Sequence, residues 1–350
     1  MPKSNNYKTW ADYHPEVAKN FQQPPLAWPC DQIQTDLFHC HQPVVVKGPE
    51  NELFSHGNAP DGKAAVWHST DGGRSWAVLC TAAMMPPPVP KDMRSSTGDQ
   101  GIGVTSKGTL LVTFRQFYHD HKGSCDQADP SCHVKSWIIR STDRGKTWHH
   151  TGMLDPAPYQ NIGGAKARFH QMRDGRMLYP VNASSWSRPG KPLPKDERSE
   201  RALLFESRDD GQSWHRLSSL GEHSDESDLL ELPNGRILAT TRYQRKKKST
   251  DPADLITPYW LMADHPRDTC GECKEGPTAV GGHSVYKQSA ILHSDDGGKT
   301  WSAPTVVTGW VQQTAGIVRL SDGTIAMPFG HKDEGNGQRF ILSYDEGQCY

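Results

Sequence analysis

The sequence has no long apolar run: no stretch approaches the roughly 20 residues that a helix needs to cross a bilayer, so no membrane span is predicted. It also has almost no net charge. Thirty-nine Lys and Arg stand against 40 Asp and Glu, a formal −1 at pH 7. With no basic excess to build a binding face, a nucleic-acid partner is not expected. The N-terminal stretch MPKSNNYKTWADYHPEV lacks the apolar core of a signal peptide, which taken literally points to the cytoplasm. The eight cysteines point the other way. Cys125 and Cys132 share the segment SCDQADPSC, and Cys270 and Cys273 form CGEC. Disulfides inside such loops would imply a secreted or periplasmic setting, so the compartment stays open. A lone CxxC with no second ligand pair is a poor zinc site. Loop staples are therefore favoured over metal, and neither a metal site nor a cofactor is predicted.

The sequence does contain material for a core and for many turns. Hydrophobic residues make up 34% and charged residues 23%, a balance that supports a packed interior and argues against wholesale disorder. The 350 residues fit one large repeat domain or two ordinary ones. Thirty-two Gly and 26 Pro suit tight turns, and 11 Trp suit broad packing surfaces between sheets.

One motif recurs along the chain. Ser69–Trp76 (STDGGRSW), Ser141–Trp148 (STDRGKTW), Ser207–Trp214 (SRDDGQSW) and Ser294–Trp301 (SDDGGKTW) share S-x-D-x-G-x-[ST]-W, and Ser343–Tyr350 (SYDEGQCY) is a degenerate fifth copy. The pattern has a mechanical reading. The Asp carboxylate can accept backbone N–H bonds and hold a tight turn. The Gly two residues later can take positive φ at little steric cost. The Ser or Thr hydroxyl adds a local bond, and the Trp can fold back onto a sheet. Each copy follows a short strand signal (AAVWH, SWIIR, ALLFE, SAILH, RFILS), so each reads as a hairpin turn.

A second element precedes four of the turns: GVTSKGTLLVTFR, ARFHQMRDGRMLYPVN, SDLLELPNGRILATTR and GIVRLSDGTIAMPFG. Each is strand, polar turn with Gly, strand. Together the two elements give about four strands per unit, the content of one propeller blade. The widest gap between turns holds the insertion from Arg242 to Tyr286, whose run Arg245-Lys246-Lys247-Lys248 reads as a solvated loop.

These turns resemble the Asp boxes of sialidases and related Asp-box propellers, over roughly residues 40 to 350. The resemblance implies an all-β fold, a six-bladed β-propeller of sialidase type. Only five boxes are present, so the sixth blade is expected to be missing or incomplete, with residues 1–39 an N-terminal extension that could take part in closure and 40–350 the C-terminally truncated propeller.

The resemblance also implies an activity: removal of a terminal acidic sugar, sialic acid, from a glycan or glycoconjugate. A Tyr nucleophile stands in for the second carboxylate, because the substrate's own carboxylate would repel an anion. A Glu takes the tyrosine's proton, a loop Asp acts as acid and then base, and three Arg clamp the substrate carboxylate. No metal is needed. The segment from Ser224 to Arg242 is similar to the family's Glu followed one hairpin later by the second clamp Arg, which assigns the base to Glu226 and a clamp position to Arg242. The stretch from Ile325-Ala326-Met327-Pro328 to Arg339, just before the last box, is similar to the one that carries the third clamp Arg. The acid/base Asp is expected in the loop before the second box, at Asp120 or Asp129.

Two departures weaken the likeness. The family's first clamp Arg lies in an Arg-Ile-Pro motif, but the comparable stretch Asp99–Val104 has no Arg; Arg94 and Arg115 are the candidate replacements. The nucleophilic Tyr is expected in the missing sixth blade, and Tyr350 fills the Trp position of the last box. A non-catalytic propeller that binds glycans or proteins, and a hydrolase for a different sugar, therefore remain alternative readings.

Overall fold

The structure is a computed structural model, and it describes residues 44–58, 64–80, 94–119, 133–163, 168–185, 187–188, 191–192, 199–245, 286–309, 312–331 and 337–348. All of them fall in the second of two compact units, Phe38–Tyr350. The loop cysteines at 125, 132, 270 and 273 and Lys246–Lys248 lie outside the described residues. No described residue is helical, and no described segment is a helix long and apolar enough to cross a membrane.

The strands form successive antiparallel sheets. The first sheet holds β1 (Val45–Lys47), β2 (Leu53–Asn58), β3 (Ala64–Ser69) and β4 (Ala77–Cys80). The second holds β5 (Arg94–Val104), β6 (Leu110–His119), β7 (His133–Ser141) and β8 (His149–Leu154). The third contains β9 (Asn161–Ile162), β10 (His170–Gln171) and β11 (Met177–Ser185). A short hairpin of β12 (Ser187–Arg188) and β13 (Lys191–Pro192) intervenes before its outer strands β14 (Ser199–Ser207) and β15 (His215–Glu222). The fourth runs through β16 (Ser224–Glu231), β17 (Ile237–Arg245), β18 (Tyr286–Ser294) and β19 (Thr305–Val306). The fifth has β20 (Gln312–Gln313), β21 (Val318–Arg319), β22 (Ile325–His331) and β23 (Gly337–Ser343). The sequence predicts separate blades. Instead β20 pairs parallel with β18 at Gln288–Gln312 and antiparallel with β22, so the fourth and fifth sheets are one continuous ladder.

Side-chain alternation explains the stacking, because successive residues of a strand face opposite sides. Leu110 and Val112 of β6 pack with Phe54 and Val66 of the first sheet. Leu111, between them, packs with Tyr179, Val181, Leu203 and Phe205 of the third. On β14, Leu203 and Phe205 face the second sheet, whereas Ala202 and Leu204 join Leu229, Ile237 and Ala239 of the fourth. Each middle strand is thus apolar on both sides, and each fully buried Leu contributes about 1.5–3 kcal/mol.

The repeated turns fasten this stack. In the third box, Asp209 Oδ1 accepts from Ser207 Oγ (2.8 Å) and Ser213 N (2.9 Å), and Oδ2 accepts from Ser213 Oγ (2.5 Å). Gly211 N donates to Ser207 Oγ (2.9 Å), and the Trp214 indole donates back to Gly211 O (3.1 Å). The first two boxes repeat this arrangement. In the fourth, the Trp301 indole donates instead to Ser218 Oγ (3.2 Å), which itself donates to Gly298 O (2.5 Å). The Gly after the Asp has positive φ as predicted, and so does the residue before it: Asp210 at 61° and Gly211 at 82°. The glycine has a second role. A Cβ on Gly211 would lie 2.5 Å from Leu111 of the second sheet, so only glycine lets the box close on its neighbour. Thr109 and Arg140 of the second sheet donate to Asp210 Oδ2 at 2.6 and 2.5 Å, fastening the third box to the sheet before it.

A buried ion cluster ties three sheets at their inner ends. Arg168 Nε donates to Asp228 Oδ1 (2.9 Å), its Nη2 donates to Asp228 Oδ2, and Nη2 also donates to Ile317 O (3.0 Å). His170 Nε2 lies 2.9 Å from Asp228 Oδ1, and Ile317 N donates to Asp228 Oδ2 (3.0 Å). Burial works to raise the Asp228 carboxyl, but Arg168 and His170 outweigh it and hold it well below the usual carboxylate range. Burial lowers His170, and the neighbouring Asp228 opposes this without reversing it. Burial likewise lowers His56, in the first sheet, to about 4.

Two outcomes are expected. Asp209→Ala removes three hydrogen bonds from one turn and should cost about 1–2 kcal/mol of stability; a melting temperature equal to the parent's would contradict the structural role of the box. The unfolded chain binds protons on its histidines below about pH 6.5, while folded His56 and His170 resist protonation. Stability should therefore fall as pH drops from about 6.5 toward 4, with the Asp228 contribution persisting to lower pH. A melting temperature that stays level across that window would contradict the neutral, buried state of these histidines.

Candidate active site

The site is built from the inner ends of the sheets. β16 enters with an irregularity between Ser224 and Ser227, and the consecutive acids Asp225 and Glu226 turn to different neighbours. Asp225 Oδ1 accepts from Asn182 Nδ2 of β11 (2.7 Å). Glu226 Oε2 accepts from Thr314 Oγ1 (2.7 Å), just after β20. The next strand, β17, brings Arg242 against both acids: Nη1 donates to Glu226 Oε2 at 3.3 Å, and Nε lies 3.7 Å from Asp225 Oδ2. Gln244, two residues along the same face, accepts from Arg242 Nε (3.1 Å) and Nη2 (2.6 Å) and orients the guanidinium.

A further strand of the site is β6, which lies between β5 and β7. Asp99–Val104 lacks an Arg, but the β5–β6 register sets Gly98 opposite Arg115 across an irregularity at Asp99. Arg115 is therefore one strand over from the stretch where the first clamp residue was sought. Its side chain fills the space beside Gly163, where a Cβ would lie 2.4 Å from Arg115 Cδ. Burial lowers the Arg115 guanidinium to about 10, with Asp225 and Glu226 opposing the shift, so it stays protonated at neutral pH within electrostatic reach of both acids. Two guanidinium groups and two carboxylates balance in formal charge, which leaves anion recognition to fork geometry more than to net field.

A cavity of about 250 Å³ opens beside Glu226, Ser227 and Thr314, with an apolar wall of Val44, Val45, Ile317, Val318 and Pro328. Arg168 also lines it, but its guanidinium is committed to Asp228 and Ile317 O. No cluster of three or more His, Cys, Asp or Glu side chains suited to a metal occurs among the described residues.

The structure thus brings Glu226, Arg242 and Arg115 together. Arg339 is exposed on β23, opposite Phe329, and its neighbour Gln338 is the residue that lines the cavity. Arg94 begins β5, opposite His119. Asp120 and Asp129 lie outside the described residues. Sequence reasoning did not single out Asp225, Asn182, Gln244 or Thr314. Gln244 could have been found from its i, i+2 spacing to Arg242 on a strand, but Asn182 and Thr314 come from other sheets and carry no local signal.

Comparison with known proteins agrees with this architecture. Residues 117–254 match a BNR repeat-like domain and residues 292–303 a BNR/Asp-box repeat. A sialidase of Micromonospora viridifaciens is 25% identical over 88% of this chain and 52% of its own length, so the chain spans about half the length of that relative. A protein of unknown function from Dyadobacter fermentans has the same fold at a TM-score of 0.58 and 19% identity, over 89% of this chain and 82% of its own. The Hadza microbial sialidase Hz136 follows at 0.56 and 16%, over 89% and 58%. With the five boxes in place, the chain carries BNR/Asp-box repeat segments and is similar in sequence and in fold to sialidases.

Proposed function

We propose that this chain is the Asp-box domain of a sialidase-like glycoside hydrolase that releases a terminal sialic acid from glycoconjugates. The observation that supports this best is the Glu226–Arg242 contact at 3.3 Å, with the protonated Arg115 in reach of the same carboxylate. In this reading Arg242 and Arg115 grip the sugar carboxylate with their planar forks. Glu226 accepts the proton of a tyrosine as that oxygen bonds to the anomeric carbon. An aspartate, Asp120 or Asp129, protonates the departing glycosidic oxygen, then takes a proton from the water that frees the sugar. No described tyrosine is assigned to the nucleophile.

A second reading is a propeller that binds glycans or proteins without cleaving them, or a hydrolase for a different sugar. It is favoured by the exposed place of Arg339, which leaves two of the three forks of the clamp, Arg242 and Arg115, beside Glu226.

The test is release of fluorophore from a 4-methylumbelliferyl α-sialoside by the full chain. Turnover is expected, and Arg242→Ala should lower kcat/KM by about 10²-fold or more with the melting temperature little changed. Undiminished turnover in that variant would remove Arg242 from the site, and no turnover in the parent would favour the binding reading. Arg115→Lys keeps the charge and loses the fork. It should raise KM for the sialoside by roughly tenfold with a smaller change in kcat; an unchanged KM would mean that Arg115 only balances Asp225 and Glu226.

A further inference from the structure

Thr314 sits in a backbone conformation that its residue type avoids. Its φ is 61°, in the left-handed region that glycine enters freely and a β-branched side chain enters only under constraint. The constraint comes from every side. Gln312 O accepts from Ser289 Oγ (3.2 Å) and Thr308 Oγ1 (2.5 Å). Ala315 O accepts from Thr240 Oγ1 (2.8 Å), and Gly316 N donates to Pro328 O (2.9 Å). Ile317 N is held by Asp228 (3.0 Å). Such over-determined strain gathers at functional sites. A glycine would satisfy the backbone here, so the side chain is what the strain retains.

That side chain is buried, at 7% exposure, and its hydroxyl donates to Glu226 Oε2 at 2.7 Å across 88 positions of sequence. The second contact to Glu226, from Arg242 Nη1, falls on the same oxygen. Oε1 takes neither bond, and Glu226 lines the cavity. We infer that Thr314 is a positioning residue: with Arg242 it pins Glu226 by Oε2, fixing the carboxylate plane and turning Oε1 toward the proton to be accepted. The inference rests on the reading of Glu226 as the base. It assigns the strained turn after Gln313 to catalysis through Glu226 and not to substrate contact. Holding a base within hydrogen-bond geometry of its proton raises turnover more than it raises affinity.

The experiment uses the full chain and three variants, with the umbelliferyl sialoside as probe. Thr314→Val keeps the shape and loses the donor; kcat should drop roughly tenfold or more with KM within about twofold. Thr314→Ser restores the hydroxyl and should recover most of that loss. Thr314→Gly relieves the positive φ, so its melting temperature should equal or exceed the parent's while kcat falls as in Thr314→Val. A Thr314→Val enzyme with parental kcat, or a Thr314→Gly enzyme that loses stability and turnover together, would overturn the assignment. A stability cycle between Thr314→Val and Glu226→Gln separates this proposal from the hydrolase reading. Non-additive shifts in unfolding midpoint are expected whether or not the sialoside is cleaved, and simple additivity would overturn the Thr314–Glu226 link. Absent turnover in the parent overturns the hydrolase reading and the catalytic part of this one, leaving the cycle to decide the contact alone.

Discussion

Each middle strand of this chain must bury both of its faces, and the remaining structure follows from that requirement. A strand such as β6 cannot leave Leu111 in water while Leu110 and Val112 are packed, so its sheet needs a neighbour on each side. Sheets that stack face to face, each twisted with respect to the last, turn gradually about a common axis. Their inner strands then converge, and side chains distant in sequence meet there. Arg115, Asn182, Glu226 and Thr314 come from three different sheets, yet they make a single group around Asp225 and Glu226.

Convergence has an electrostatic cost. Asp228 is buried among inner strands, and a lone carboxylate there would be strongly unfavourable. It is tolerable because Arg168, His170 and the Ile317 N–H supply charge and hydrogen bonds from two other sheets. Two and three residues earlier on β16, Glu226 and Asp225 meet Arg242, with Arg115 in electrostatic reach, and Glu226 lines the cavity. The two clusters share a vocabulary of carboxylate and guanidinium. The Arg168 fork is taken up by Asp228 and Ile317 O, and the Arg242 fork by Gln244 and Glu226, of which Glu226 lines the cavity.

How much of this the sequence disclosed depended on how local each feature is. The box turns were legible because their hydrogen bonds span four residues or fewer, and the geometry of Asp209, Gly211 and Ser213 is written in one octapeptide. The pairing of Glu226 with Arg242 was legible because one hairpin sets it. Arg115 was only one of two candidates, since choosing it requires the β5–β6 register and the irregularity at Asp99. Thr314 was not legible: the turn that gives it positive φ is held where Ala315 O accepts from Thr240, Gly316 N donates to Pro328 O and Ile317 N donates to Asp228, none of those partners adjacent to it in sequence. The positive φ just before the conserved box glycine was missed as well: glycine holds it at Gly72 and Gly297, but Arg144, Asp210 and Glu346 are not residue types that announce it.

The two-residue strand β20 has a mechanical consequence. The second and third sheets share a single parallel bridge at Ile102–Arg168, with Phe169 N donating to Ile102 O (3.2 Å); the other described seams meet through side chains, and such contacts can separate by small sliding or local opening. Between the fourth and fifth sheets the main chain itself is laddered, at Gln288–Gln312 and Gln312–His331. Those two sheets therefore unfold and move as one cooperative block. Glu226 and Thr314 both belong to that block, so slow breathing of the other seams leaves the distance between them unchanged.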